Sequence, residues 1–145
     1  MFSNFNSECS SEYTLYSTKC GEFCYRFDNK NCISWTAART TCQGEGGELL
    51  EPDVCTYPFF HGLVRENRGT CADTWIGGFR DLPMLNYTTV RGNPLPDNFQ
   101  WWGSNQPSKR NTQACVEMTP GRGFLMNDDE CADLNGYICQ KYFKH

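Results

Sequence analysis

Histidine is almost missing from this chain: His61 and His145 are the only two in 145 residues. No Cys-x-x-Cys pair occurs, so neither a zinc knuckle nor a histidine-based catalytic centre has much to be built from. No apolar run approaches the roughly 18 residues of a membrane span, which excludes insertion by an apolar helix. The opening residues Met1 to Asn6 lack a charged start and an apolar stretch; a secreted form is therefore expected to have lost its leader before this numbering begins. Positive charge is also scarce. A formal net charge of −4, with no basic helix and no aromatic ladder interleaved with Lys or Arg, argues against a nucleic-acid partner.

What the chain does have is cysteine. Ten of them, spread from Cys9 to Cys139, point to an oxidising compartment and a bridged framework. The length suits one domain with a single modest core. Asn86-Tyr87-Thr88 is the one glycosylation sequon, as expected of an extracellular surface loop.

Residues 1–19 are polar and read as an arm tied down by Cys9. Residues 24–27 suit a first strand and 28–31 a turn. Ser34 is a good N-cap for a helix over 35–43 that puts Trp35, Ala38 and Cys42 on one face, with Gly44 beyond its end. A second helix is expected over 58–67, with Pro58 in its first turn, Gly69 as the stop, and Phe59, Phe60, Leu63 and Val64 as the buried stripe. His61, among apolar neighbours there, reads as structural or exposed, not catalytic. Residues 74–79 form a short buried strand, and 80–98 a long irregular region of the kind that carries function. Further strands are expected over 114–118, 124–126 and 136–142.

The polar centre of the chain lies between Phe99 and Cys131. Side-chain oxygens gather there at two places, Gln106-Pro107-Ser108 and Asn127-Asp128, as suits meeting a hard cation or sugar hydroxyls. Trp102, Gln106-Pro107-Ser108, Cys115, Met126-Asn127-Asp128 and Cys131 follow in an order that resembles the second half of a C-type lectin-like domain. Cys24-Tyr25-Arg26-Phe27, Trp35 with Ala38 and Cys42, Gly46-Gly47-Glu48-Leu49, Trp75-Ile76-Gly77-Gly78 and Tyr137-Ile138-Cys139 extend the resemblance over residues 20–143.

The resemblance implies an α+β, disulfide-rich fold: two helices on small antiparallel sheets, with a long ligand-binding loop and the lectin-like domain at 20–145. It also implies the bridges Cys42–Cys139 and Cys115–Cys131. For the remaining cysteines the expected pairs are Cys55–Cys71, Cys9–Cys20 and Cys24–Cys32, although the family's usual N-terminal pair would involve Cys24. It further implies one calcium ion held by Gln106, Ser108, Gln113, Asn127 and Asp128 around a cis Pro107, with a sugar placed on that ion.

Three departures weaken that implied site. The triplet is Gln-Pro-Ser where mannose-type sites have Glu-Pro-Asn and galactose-type sites Gln-Pro-Asp. Gln113 stands where an acid is usual, and Met126 replaces a Trp. With Asp128 the only carboxylate among the five, calcium should be held weakly unless Asp129, Glu130 or Asp97 adds to it. Ala114 occupies a position that is acidic in members with an auxiliary ion, so a second ion is not expected.

Lys109 and Arg110, with Arg91 and Arg122 as further candidates, either bind acidic or sulfated ligands or are solvated loop cations, the second reading being favoured. Trp101 either stacks on a galactose-type sugar or packs under the loop. The run Asp128-Asp129-Glu130 offers no pair of carboxylates across a cleft, so catalysis is not expected. The expectation is a secreted, non-enzymatic, calcium-dependent lectin that tilts toward galactose or N-acetylgalactosamine, with glycans or glycoproteins as partners. It is expected to form a homo-oligomer, since a weak site gains from repetition. A calcium-independent protein-binding module is the rival reading, and an ice-binding variant of the fold the third.

Overall fold

A computed structural model describes residues 9–143; the opening residues Met1 to Asn6 and His145 lie outside it. The elements in order are β1 (Thr14–Thr18), β2 (Gly21–Ile33), α1 (Trp35–Gly44), β3 (Glu48–Leu49), α2 (Tyr57–Glu66), β4 (Thr74–Phe79), β5 (Tyr87–Thr89), β6 (Pro94–Leu95), β7 (Gln113–Thr119), a 3-10 turn (Pro120–Arg122), β8 (Leu125–Glu130) and β9 (Asn135–Lys141). The strands run β1-β2-β9-β4-β5-β6 across the sheet, with β3 on β9 and the β7–β8 hairpin on β4. Among the named strands of the described residues, only β4 and β9 pair in parallel, through Thr74 and Trp75; Trp102 and Met126 add an isolated parallel bridge.

Local chemistry accounts for both helices. Ser34 Oγ accepts from the Ala37 amide at 3.2 Å, capping α1, and the Trp35, Ala38 and Cys42 face is buried. In α2 the buried stripe is Tyr57, Phe60 and Val64. Phe59 is exposed at 42 % but still lies edge-on to Tyr16 and Tyr25. His61 Nε2 donates to the Gly123 carbonyl at 2.8 Å, tying α2 to the turn before β8.

Strand β4 is buried on both faces, and Gly77 and Gly78 are steric requirements of that position. A Cβ on Gly77 would stand 2.9 Å from the Leu49 and Leu50 carbonyls, and one on Gly78 would stand 2.8 Å from Leu95 Cδ2 and Val116 Cγ2. The core is continuous beneath the long loop, from Tyr16 and Phe23 through Phe60 and Ile76 to Trp102, Val116 and Met126.

Several expectations need correction. Residues 14–18, read as part of an arm, form β1 against β2, with Tyr16 buried and stacked on Phe23 at 4.7 Å. Residues 28–31 belong to β2, whose register shifts between Asp28 and Ile33. There Asp28 Oδ1 accepts from the Lys30 and Asn31 amides, so the turn chemistry is real but only bulges the strand. The long loop contains the β5–β6 hairpin, invisible to patterning because its strands are two and three residues long and one starts with Pro94.

Cys42–Cys139 and Cys115–Cys131 form as expected. The other three pairs are Cys9–Cys24, Cys20–Cys55 and Cys32–Cys71, not Cys55–Cys71, Cys9–Cys20 and Cys24–Cys32. Cys55 and Cys71 are kept apart by α2, whose ten residues span about 15 Å. Each turns instead to one end of β2: Cys55 to Cys20 just before it, Cys71 to Cys32 near its close.

Candidate functional site

Strand β8 carries two polar faces. Its odd-numbered and even-numbered side chains point to opposite sides, as alternation requires. Met126 and Asp128 face the core and the long loop, while Asn127 and Asp129 face Glu117 across the hairpin.

On the loop side Asp128 is only 1 % exposed. Its Oδ1 accepts from the Ser108 amide at 2.9 Å and the Ser108 hydroxyl at 3.0 Å. Its Oδ2 accepts from the Lys109 amide at 2.8 Å and the Tyr87 hydroxyl at 2.7 Å. One buried carboxylate therefore gathers four donors, the arrangement a buried charge needs. Burial and then the adjacent Asp128 carboxylate push the Tyr87 phenol upward, so it stays a donor.

Arg80, directly after β4, completes the network. It is 4 % exposed, and its guanidinium donates to the Met84 carbonyl at 3.0 Å, the Gln113 carbonyl at 3.0 Å, the Arg110 carbonyl at 2.7 Å and the Tyr87 hydroxyl at 3.3 Å. A fixed fork of five N–H donors suits this task. The cation thus ties the start of the long loop to its end, and Tyr87 links it to Asp128. Arg80 is inconspicuous in the sequence because it sits at the border of strand and loop; its one signal is a charge abutting the apolar run Trp75-Ile76-Gly77-Gly78-Phe79.

The other expected site residues are placed as follows. The Gln106–Pro107 bond is cis. Gln106 Oε1 is buried and makes no hydrogen bond among the described residues. Gln113 meets the Ser108 hydroxyl through its side-chain oxygen. Asn127 is turned away from Asp128 and donates to Glu117 Oε2 at 2.9 Å. Lys109 Nζ pairs with Asp97 at 2.7 Å, Arg110 is exposed, and Glu130 accepts from Thr112. Trp101 stacks on Tyr57 at 4.8 Å, half-buried, which is the packing alternative for that ring. Arg91 lies beside Glu51 and over the Tyr142 ring, and Arg122 packs by Gly103.

Calcium asks for six to eight oxygens, several of them carboxylate. Of the five implied ligands, Ser108, Gln113 and Asp128 converge, Gln106 offers one neutral oxygen, and Asn127 faces the other side. The single carboxylate is already occupied by two amides and two hydroxyls. This donor set does not fit a resident calcium ion.

The opposite face of the hairpin holds a cluster that sequence reading missed. Asp73, Glu117 and Asp129 bring carboxylate oxygens within 4.8 Å of one another. Glu117 is 2 % exposed and accepts from Asn127 and from Asn135 at 3.0 Å. Burial, then the Asp73 carboxylate, pushes its pKa up to about 9. The cluster thus sheds charge by protonation. Asp129 also raises Asp133 through a side-chain hydrogen bond.

The profile of the Lectin C-type domain matches residues 31–141. The chain belongs to the C-type lectin domain family. Domains of this family are in general non-enzymatic binders of carbohydrate or protein. The chain is 28 % identical over 120 residues to C-type mannose receptor 2 of Mus musculus, covering 81 % of this chain but only 8 % of that protein. It therefore spans a small part of the receptor's length.

Two solved structures share the lectin fold closely. The SPL-1–GlcNAc complex superposes with a TM-score of 0.78 at 21 % identity, covering 94 % of this chain and 97 % of that one. A calcium-independent type II antifreeze protein gives 0.75 at 20 % identity, covering 94 % and 96 %. At such identities the likeness concerns the fold alone. All ten cysteines of this lectin domain are bridged. None of its described helices is long and apolar enough to cross a membrane.

Proposed function

We propose that this lectin domain works outside the cell as a calcium-independent binder of glycans or glycoproteins, with the face formed by Ser108 to Gln113 as its ligand surface. The observation that carries this reading is the Asp128 carboxylate with its four protein donors, backed by Arg80 at the root of the same loop. A protein cation and two backbone amides do the work of ordering the loop. Calcium could enter only by displacing several charge-assisted hydrogen bonds.

Support for a saccharide ligand comes from the family and from neighbours such as the SPL-1–GlcNAc complex. The calcium-independent antifreeze protein supports a fold that is stable without the ion. A tilt toward galactose would rest on Gln106, whose side-chain oxygen is buried. The exposed Arg110 cation is the group best placed on this face to meet sugar oxygens or an acidic substituent. A single weak site would gain avidity from presentation in several copies, which light scattering of the purified protein would reveal.

A protein ligand is the second reading, favoured by Leu82, Met84 and Leu85, exposed at 48, 63 and 60 %. The test is a glycan array probed in calcium and again in chelator, with thermal melts in both buffers. Equal binding and equal melting temperatures are expected. Binding that vanishes in chelator would overturn calcium independence, and an array without any bound glycan would leave the protein-ligand reading.

A further inference from the structure

We propose that Asn86 carries an N-linked glycan whose first sugar residues rest in a cavity of the domain's own surface. Asn86-Tyr87-Thr88 is an acceptor triplet with a non-proline centre. Asn86 is exposed where the long loop enters β5, and its side-chain amide makes no hydrogen bond among the described residues. Attachment at Nδ2 therefore breaks nothing. Tyr87, next to it, is buried and fixed by Asp128 and Arg80, so the backbone presenting Asn86 is held rigidly. Five bridges and no free cysteine place folding in an oxidising compartment, where this modification is made.

The cavity begins at Asn86 itself. It is an open groove of about 450 Å³ between Tyr87, segment 94–96, Asp97 and Asn98, within the ~300–1,000 Å³ of ligand-sized pockets. Tyr87 and Leu95 form its floor and are buried, while Pro94 and Pro96 are exposed. Apolar ring faces against prolines, with the Asp97 carboxylate and the Asn98 amide beside them, match the two sides of an N-acetylglucosamine. Immediately before Asn86 in the chain stand Leu82, Met84 and Leu85, three large apolar side chains in solvent. An attached oligosaccharide is the covalently guaranteed cover for such a patch.

The reaction needs a lipid-linked oligosaccharyl pyrophosphate as donor. Asn86 Nδ2 forms a bond to the anomeric carbon, the bond from that carbon to the pyrophosphate oxygen breaks, Nδ2 loses one proton, and the lipid pyrophosphate departs. No electrons are exchanged with an outside reagent.

The test is secretion of the full chain from eukaryotic cells, with intact mass measured before and after amidase release of the glycan, from native and from denatured protein. One glycan is expected on the wild type and none on Asn86→Gln, while Thr88→Ser, which keeps the acceptor triplet, retains it. Release from the native protein should be about tenfold slower than from the denatured one, as for a bond shielded by local structure. Wild-type protein at bare polypeptide mass overturns the modification and returns the apolar patch to a protein partner. Release at equal rates from both states overturns the seating. Neither measurement on the wild type depends on a variant that folds.

Discussion

Replacing Arg80 by methionine isolates the contribution of the buried cation. The substitution keeps an unbranched apolar stem but removes the donors to three carbonyls and the Tyr87 hydroxyl. Each buried acceptor left unpaired costs about 1–3 kcal/mol, although the Arg110 carbonyl keeps the Gln113 amide as a donor. Loop relaxation and relief of the buried charge's desolvation reduce the sum, and removal of one member of a buried polar pair costs ~3–5 kcal/mol in comparable settings. A net loss of about 3 kcal/mol is expected. For a chain of this size that corresponds to a fall in melting temperature of roughly 6–12 °C.

The loss should be local as well as global. Amide exchange should accelerate over residues 81–86 and 108–113, which Arg80 joins, while α1 and β9 keep their order of protection. Arg80→Lys should recover only part of the stability, because an ammonium lacks the planar fork. Calcium should rescue neither variant. If Arg80→Met melts within about 1 °C of wild type, or if exchange rises uniformly, the guanidinium is not what orders the loop.

Asp128→Asn places an amide against four donors and should cost about 2–3 kcal/mol in urea unfolding. Its effect should be less than additive with Arg80→Met, because both act on Tyr87. Glu117 is faced by the Asp73 and Asp129 carboxylates and by the Asn127 and Asn135 amides. Its pKa is raised from 4.5 to about 9 by burial first and Asp73 second, so the folded state holds a proton that the unfolded state releases. Stability should therefore fall as pH rises from 4.5 to about 9 and level off outside that window. Glu117→Gln should flatten that slope in melts taken across it. Gly77→Ala should cost more than Gly78→Ala, both within about 1–3 kcal/mol. The first drives a methyl into two backbone carbonyls, the second into the mobile ends of Leu95 and Val116.

Much of the scaffold was written in short-range chemistry. Ser34 announces α1 because a hydroxyl at an N-cap satisfies an amide wherever the helix lies, and the Trp35, Ala38 and Cys42 spacing names its buried face. The order of Trp102, Cys115, Cys131 and Cys139 marks the family, and two bridges follow from it. The site was legible as a set of polar residues but not as an arrangement. Asn127 and Asp128 are adjacent in the chain, and only their place in β8 reveals that they face opposite sides. Polar residues hide a strand from a hydrophobic pattern, which is why β8 runs to Glu130, beyond its expected end.

The sequence by itself determined the class of the domain: bridged, mixed in secondary structure, and provided with a polar loop near its end. Only the tertiary structure decided how that loop is held. Which cysteine meets which depends on the run of β2 beside α2, a relation between elements that no spacing encodes. Likewise, Asp128 could have met a metal or protein donors. That choice fell to Arg80 and Tyr87, far from it in the chain, because a buried charge is compensated by whatever the fold brings within hydrogen-bonding distance.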